Sequence, residues 1–264
     1  MTEHSDDLAL ALEMADRLDA ITMARFGALD LAIEAKPDTT PVSDADLAAE
    51  RAARALLAQH RPGDEILGEE FGGTVATSGR QWIIDPIDGT KNFVRGVPVW
   101  ASLISLAIDG EVVVGVVSAP SLYRRWYAAR GAGAYLIAGG GAPARLHVSG
   151  VRELTDASLS YSSPAAWEGA GELDRFLSFA QGFWRTRAYG DFWSYMMLAE
   201  GSVDVAVEPE LQVYDMAALV PIVTEAGGTF SSRSGAAGPW GGDAVATNGL
   251  LQEAVMAAIG LPSE

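Results

Sequence analysis

Apolar residues return at helical spacing over residues 6–26, where Leu8, Leu12, Ala15, Leu18 and Ile21 make one stripe behind Ser5, an expected N-cap. The segment Lys36-Pro-Asp-Thr-Thr-Pro41 interrupts as a loop by its prolines. A second helix is expected from about Asp44 to Gln59, entered by Ser43 and left at Arg61-Pro62-Gly63. The period then shortens. Trp82-Ile83-Ile84 is apolar and rich in strand formers, and the apolar runs 100–108 and 112–118 flank Asp109-Gly110, a hairpin turn by residue type. Residues 131–149 read as a further hairpin with Gly139, Gly140 and Gly141 at its tip. Beyond them, short strands (157–161, 203–207, 244–247) alternate with helices (172–181, 191–200, 215–226), which predicts an α/β layer. With no repeat or low-complexity linker, the pattern predicts an α/β protein of two lobes. Residues 1–150 form an α+β lobe and residues 151–264 an α/β lobe.

Composition narrows the functions open to such a chain. Of its 264 residues, 49% are hydrophobic and 20% charged, the balance of a globular protein with a core. The net charge of −17 argues against nucleic acid or an anionic membrane as partner, since both attract clustered Lys and Arg. It suits a site that collects cations, and equally an acidic surface that keeps the protein soluble. The absence of cysteine excludes thiolate zinc sites, cysteine nucleophiles and disulfides. The first residues lack the basic and apolar regions of a signal peptide, and the longest apolar stretch, 100–120, is broken by Asp109, Gly110 and Glu111. A cytoplasmic protein is expected.

Candidate chemistry gathers on acidic residues. Asp85-Pro86-Ile87-Asp88-Gly89-Thr90 begins where an apolar strand ends, and strand ends in α/β layers are where ligands bind. Pro86 stiffens the turn, and two carboxylates with the Ile87 carbonyl make an all-oxygen set suited to magnesium rather than zinc. Gly89 and Thr90 add backbone N–H groups and a hydroxyl that can grip phosphate. By residue type alone the hexapeptide is equally a surface turn, although its apolar flanks are unusual for one. Glu69-Glu70 is by itself a solvated acidic pair, and Asp215 and Asp44 are by themselves helix starts.

Taken together and in order, these elements resemble the inositol monophosphatase-like family of metal-dependent phosphatases. Gly68-Glu69-Glu70 resembles its Gly-Glu-Glu element, and Trp82 to Thr90, continued by Asn92-Phe93, its central signature. Tyr214-Asp215-Met216-Ala217-Ala218, running into Glu225-Ala226-Gly227-Gly228, resembles its C-terminal signature, with Tyr214 and Leu219 departing from the usual Trp and Gly. The resemblance implies a layered α-β-α-β-α sandwich, usually a homodimer. Glu69, Asp85 and the Ile87 carbonyl would hold one Mg²⁺, Asp85, Asp88 and Asp215 a second, and a third would join with substrate. Asp44 and Thr90 would activate the attacking water, and Glu69 is counted with them as catalytic. The substrate, a small phosphate monoester, would meet Asp88, Gly89, Thr90, Lys91, Arg187, Asp191, Glu208 and Asp215. Metal-activated water needs no covalent nucleophile. The three histidines, 4, 60 and 147, accordingly read as surface residues rather than a phosphohistidine site.

Within the family the likeness is to the histidinol-phosphatase branch of actinobacteria, on residues 89–100 and on Arg187-Ala188-Tyr189-Gly190-Asp191-Phe192. Asp191 followed by Phe192, Trp193 and Tyr195 suits an ammonium and an imidazole better than a polyol, and the likeness implies histidinol phosphate of histidine biosynthesis as substrate. Three readings stay open beside it. They are an inositol or broad sugar phosphatase, a 3′-phosphonucleotide phosphatase, and an inactive relative serving as a scaffold. Asp191 is also open to a plainer role as the cap of helix 191–200.

Overall fold

A computed structural model describes residues 3–37 and 40–260; Asp38 and Thr39 of the expected loop lie outside it, as do the first two and last four residues of the two expected lobes. The chain opens with α1 (Ser5–Arg25), the small antiparallel pair β1 (Ile33–Ala35) and β2 (Pro41–Ser43), and α2 (Asp44–His60). Seven strands form one sheet in chain order: β3 (Glu65–Gly68), β4 (Arg80–Asp88), β5 (Ala101–Ile108), β6 (Glu111–Ala119), β7 (Arg124–Ala129), β8 (Gly133–Ala138) and β9 (Ala144–Arg145). The β3–β4 pair is parallel and the others antiparallel; the short α3 (Thr90–Val94) follows β4. After it come β10 (Ser158–Ser160), α4 (Pro164–Gly169), α5 (Leu173–Ala180), β11 (Arg185–Arg187), α6 (Asp191–Ala199), β12 (Val205–Glu208), α7 (Val213–Met216), α8 (Leu219–Glu225), β13 (Thr229–Ser231), β14 (Ala244–Thr247) and α9 (Gln252–Ile259). These five strands make a second, mixed sheet in the order β11-β10-β12-β14-β13.

Each sheet is covered on both faces, which is why its strands read as nearly continuous apolar runs. Ile104, Leu106, Val114 and Val116 face α1 and α2, whereas Leu103 and Val117 face α6 and α8 between the sheets. Ala206 and Ala246 close that middle layer from the other sheet, while Val205, Val207 and Val245 point outward onto α4, α5 and α9. The result is the expected α-β-α-β-α sandwich. The middle helices touch the β6 strand so closely that a Cβ at Gly115 would lie 2.3 Å from the Ala218 carbonyl oxygen. The middle core draws on residues 101–146 as well as 192–246.

Several local expectations change. His4, not Ser5, occupies the N-cap position of α1, and it is buried against Arg130 rather than at the surface. The buried stripe of α1 is Leu10, Ala11, Met14, Ala15, Leu18 and Thr22, turned from the predicted one. Small Ala11 and Ala15 lie with Ala49 and Ala53 of α2 in one cluster, leaving larger Leu8, Leu12 and Ile21 on its flank. The single helix expected over 215–226 is two. Pro221 has no N–H to bond the residue 217 carbonyl, so the chain breaks at Ala217–Ala218. Strand β7 was hidden by Arg124 and Arg125, whose charges are taken up by Glu200, Asp16 and Asp19. No helix among the described residues is long and apolar enough to cross a membrane.

Candidate active site

The end of β4 is irregular in a way that makes the site. Asp85 and Asp88 are three residues apart, so a regular strand would point them to opposite faces. The pairing with β5 slips between them: Asp85 stands opposite Leu103 and Asp88 opposite Ala101, two β4 residues facing the single Ser102. This bulge, at a proline that could not donate to the ladder, returns both carboxylates to one side. Ser102 Oγ donates to the Pro86 carbonyl at 2.7 Å, and the Ile87 N–H donates to Asp85 Oδ1 at 2.9 Å. Gly89 follows at φ 83°, a left-handed conformation that turns the chain into α3.

Around this turn opens a cleft of about 820 Å³, bounded by the β1–β2 connection, α3, α6 and the segment before α7. Asp215 enters from α7, not as the expected N-cap but at the third helical position, where its Oδ2 accepts from the Gln212 N–H at 2.8 Å. Carboxylate oxygens of Asp85, Asp88 and Asp215 lie within 4.8 Å of one another. Burial, with Glu69 and the other acids nearby, raises Asp85 well above the carboxylate range. Asp88 is raised by burial and by Asp191, and Asp215 is pushed by burial to about 7. Acids so crowded and desolvated hold protons until a cation displaces them, and an all-oxygen donor set without sulfur or nitrogen fits a hard divalent ion.

The remaining predicted residues divide. Thr90 Oγ1 donates to the Ile87 carbonyl at 3.0 Å and stands 3.5 Å from Asp46 Oδ1. Asp44, expected beside Thr90, instead pairs with Arg25 at 2.7 Å on a partly exposed flank. The correction follows from helix geometry: both acids lie in the first turn of α2, and the buried face carries Asp46. Burial raises Asp46 to about 6 although Ser43 donates to it from both N and Oγ. Glu69, Gly89, Lys91, Asp191 and Glu208 all line the cleft. Arg187 does not. It lies exposed on the edge strand β11, in a separate groove with Trp184 and Arg185, and its Nη1 donates to the Thr186 carbonyl.

Sequence reasoning missed two further neighbours, Lys36 and Glu50, and named Tyr195 only among the aromatics that follow Asp191. Lys36 Nζ donates to Glu69 and Glu70, each at 2.8 Å, and these bonds outweigh burial to raise its pKa. Glu50, buried in α2, accepts from the Glu70 N–H at 2.7 Å and so holds the Glu69-Glu70 loop. Tyr195, one turn along α6 from Asp191, forms part of the cleft wall. An acid on the apolar face of a helix was a readable signal for Glu50; nothing local announced Lys36.

The inositol monophosphatase family model matches residues 4–260. The chain is 60% identical over 251 residues to a protein of Mycobacterium tuberculosis named histidinol-phosphatase, covering 95% of this chain and 96% of that one. It is 56% identical to a Streptomyces coelicolor protein of the same name, covering 97% of each. An inositol monophosphatase structure from Zymomonas mobilis superposes with a TM-score of 0.85 at 34% identity, over 98% of this chain and 99% of that chain. The match runs through every strand and helix that carries the acidic cleft, and this chain therefore belongs to the inositol monophosphatase family of metal-dependent phosphatases.

Proposed function

We propose that the protein hydrolyses L-histidinol phosphate to L-histidinol and phosphate, using water as nucleophile and magnesium in the acidic cluster. The observation that carries the substrate is a second acidic pair in the same cleft. Asp191 and Glu208 line that cleft beside the converging Asp85, Asp88 and Asp215; burial raises both, Glu208 to about 8 with Asp191 adding to it. Two desolvated carboxyl groups suit a substrate whose far end brings an ammonium and an N–H donor, whereas a neutral polyol could offer them hydroxyl hydrogen bonds but no charge pair. The full-length relatives named histidinol-phosphatase support the same reading.

Glu69, Asp85, Asp88, Asp215 and the Ile87 carbonyl would hold two Mg²⁺, with a third joining at substrate binding. Such ions supply Lewis acidity, neutralising phosphate oxygens and acidifying a water. Asp46 and Thr90 orient the attacking water, and Asp46, ionised at neutral pH, takes its proton. Gly89 and Thr90, at the turn into α3, face the phosphate, with Lys91 adding positive charge at the rim. Asp191 receives the ammonium and Glu208 the imidazole. The reading extends to a cytoplasmic homodimer serving histidine biosynthesis. The test is phosphate release from histidinol phosphate, inositol 1-phosphate and adenosine 3′,5′-bisphosphate, with magnesium and with a chelator. Histidinol phosphate should give the highest kcat/KM and the chelator should abolish it; a preference for either other ester overturns the proposal.

A further inference from the structure

The wall of the cleft holds a polar side chain that the proposed chemistry has not used. Tyr195 is 1% exposed, yet its hydroxyl makes no hydrogen bond among the described residues. A buried hydroxyl without a partner is costly, and such groups are rare unless a ligand or water completes them. Its position is fixed. Asp191 and Tyr195 are four residues apart on α6 and so share one helix face, and both line the cleft. The ring packs on Phe230 at 5.5 Å, which holds the phenol at a set depth. Burial, first among the causes, keeps the phenol protonated and therefore a donor.

We infer that Tyr195 is a specificity residue whose hydroxyl donates to the acceptor nitrogen of the substrate's heteroaromatic ring, opposite the Glu208 carboxyl group, which accepts from the ring N–H. A neutral imidazole carries one donor and one acceptor nitrogen. The two nitrogens point away from each other, so Glu208 alone meets only one of them. The pair satisfies both, and it distinguishes imidazole from a phenyl ring of similar size, which offers neither. The inference rests on the histidinol phosphate reading and assigns one further residue to it.

The test compares wild type and Tyr195→Phe, both saturated with magnesium, on histidinol phosphate and on L-phenylalaninol phosphate, in which phenyl replaces imidazole. Phenylalanine keeps the packing on Phe230 and removes only the hydroxyl. The variant should lose on the order of tenfold in kcat/KM on histidinol phosphate and less than about twofold on the phenyl analogue, with an unchanged melting temperature. Equal losses on both esters, or none on either, overturn the role of Tyr195 while leaving the substrate reading intact. A wild-type enzyme that does not favour histidinol phosphate over the phenyl analogue overturns both.

Discussion

Thr90 Oγ1 stands 3.5 Å from Asp46 Oδ1, while Asp44, two residues earlier, turns away to Arg25. The pair that can position a water is therefore Thr90 with Asp46. Asp46→Asn should lower kcat by a hundredfold or more, the usual worth of a positioned base. Asp44→Asn should leave kcat within about threefold and cost at most about 1 kcal/mol of stability, since its ion pair is partly exposed. Because Asp46 also accepts from Ser43, melting temperatures should be read alongside the rates. A dead Asp44→Asn enzyme with an active Asp46→Asn enzyme would reverse the assignment.

Asp88→Asn should abolish turnover without unfolding the protein. The side chain faces the cluster rather than an apolar core, and its one backbone bond, from the Phe192 N–H at 2.7 Å, can still be accepted by the amide oxygen. Losing one hard ligand should cost on the order of a thousandfold in rate. The metal-free variant should melt no lower than metal-free wild type, because a neutral amide replaces a carboxyl whose charged form burial penalises. Near-normal turnover in magnesium, or a clear fall in melting temperature, would contradict this.

The Asp85–Thr90 turn was legible because its chemistry is local: proline, glycine and two acids at the end of an apolar strand specify a bulge and a change of direction within six residues. The layered fold was legible for a related reason, since strands buried on both faces lose their alternation. The Asp46 position was not legible. Asp44 and Asp46 share a first helical turn, and only the packing of α2 on the sheet decides which one faces Thr90. The Lys36 contact spans 33 residues and sits on a loop read only as proline-rich. Arg187 failed for the opposite reason: its residue type suits phosphate, but the strand that carries it lies at the sheet edge.

Stability without metal should fall as pH rises. Asp46, Glu70, Asp215 and Glu208 are raised by burial to about 6, 7, 7 and 8, from ordinary values near 4. The folded state then binds more protons than the unfolded chain between about pH 4 and 8, so its stability is greatest at the acid end and is lost across that window. Magnesium requires the ionised carboxylates and should reverse the trend. Metal-free protein should melt several degrees higher at pH 5.5 than at pH 8, and the gain on adding magnesium should be larger at pH 8. A magnesium gain independent of pH would remove the cluster as its cause.

Asp191 should select the substrate. It opens α6, but Gly190 holds the N-cap position and the Asp191 side chain makes no capping bond, so the plain structural role open to it in the sequence has lost its support. Its backbone φ is 48°, a conformation that Asp and Asn tolerate better than Ala. Asp191→Asn is therefore the informative change: it keeps the shape, keeps an oxygen for the Asn92 amide that donates at 3.3 Å, and removes only the charge. Breaking one side of a buried charge pair costs roughly 2–5 kcal/mol. The variant should lose a factor of about 30 or more in kcat/KM on histidinol phosphate. On p-nitrophenyl phosphate, which has no ammonium, the loss should stay below about threefold, because the metal cluster is untouched. A melting temperature within about a degree of wild type would confirm that the loss is one of recognition. Equal losses on both esters would instead assign Asp191 to the metal cluster, whose Asp88 and Asp215 already feel its charge.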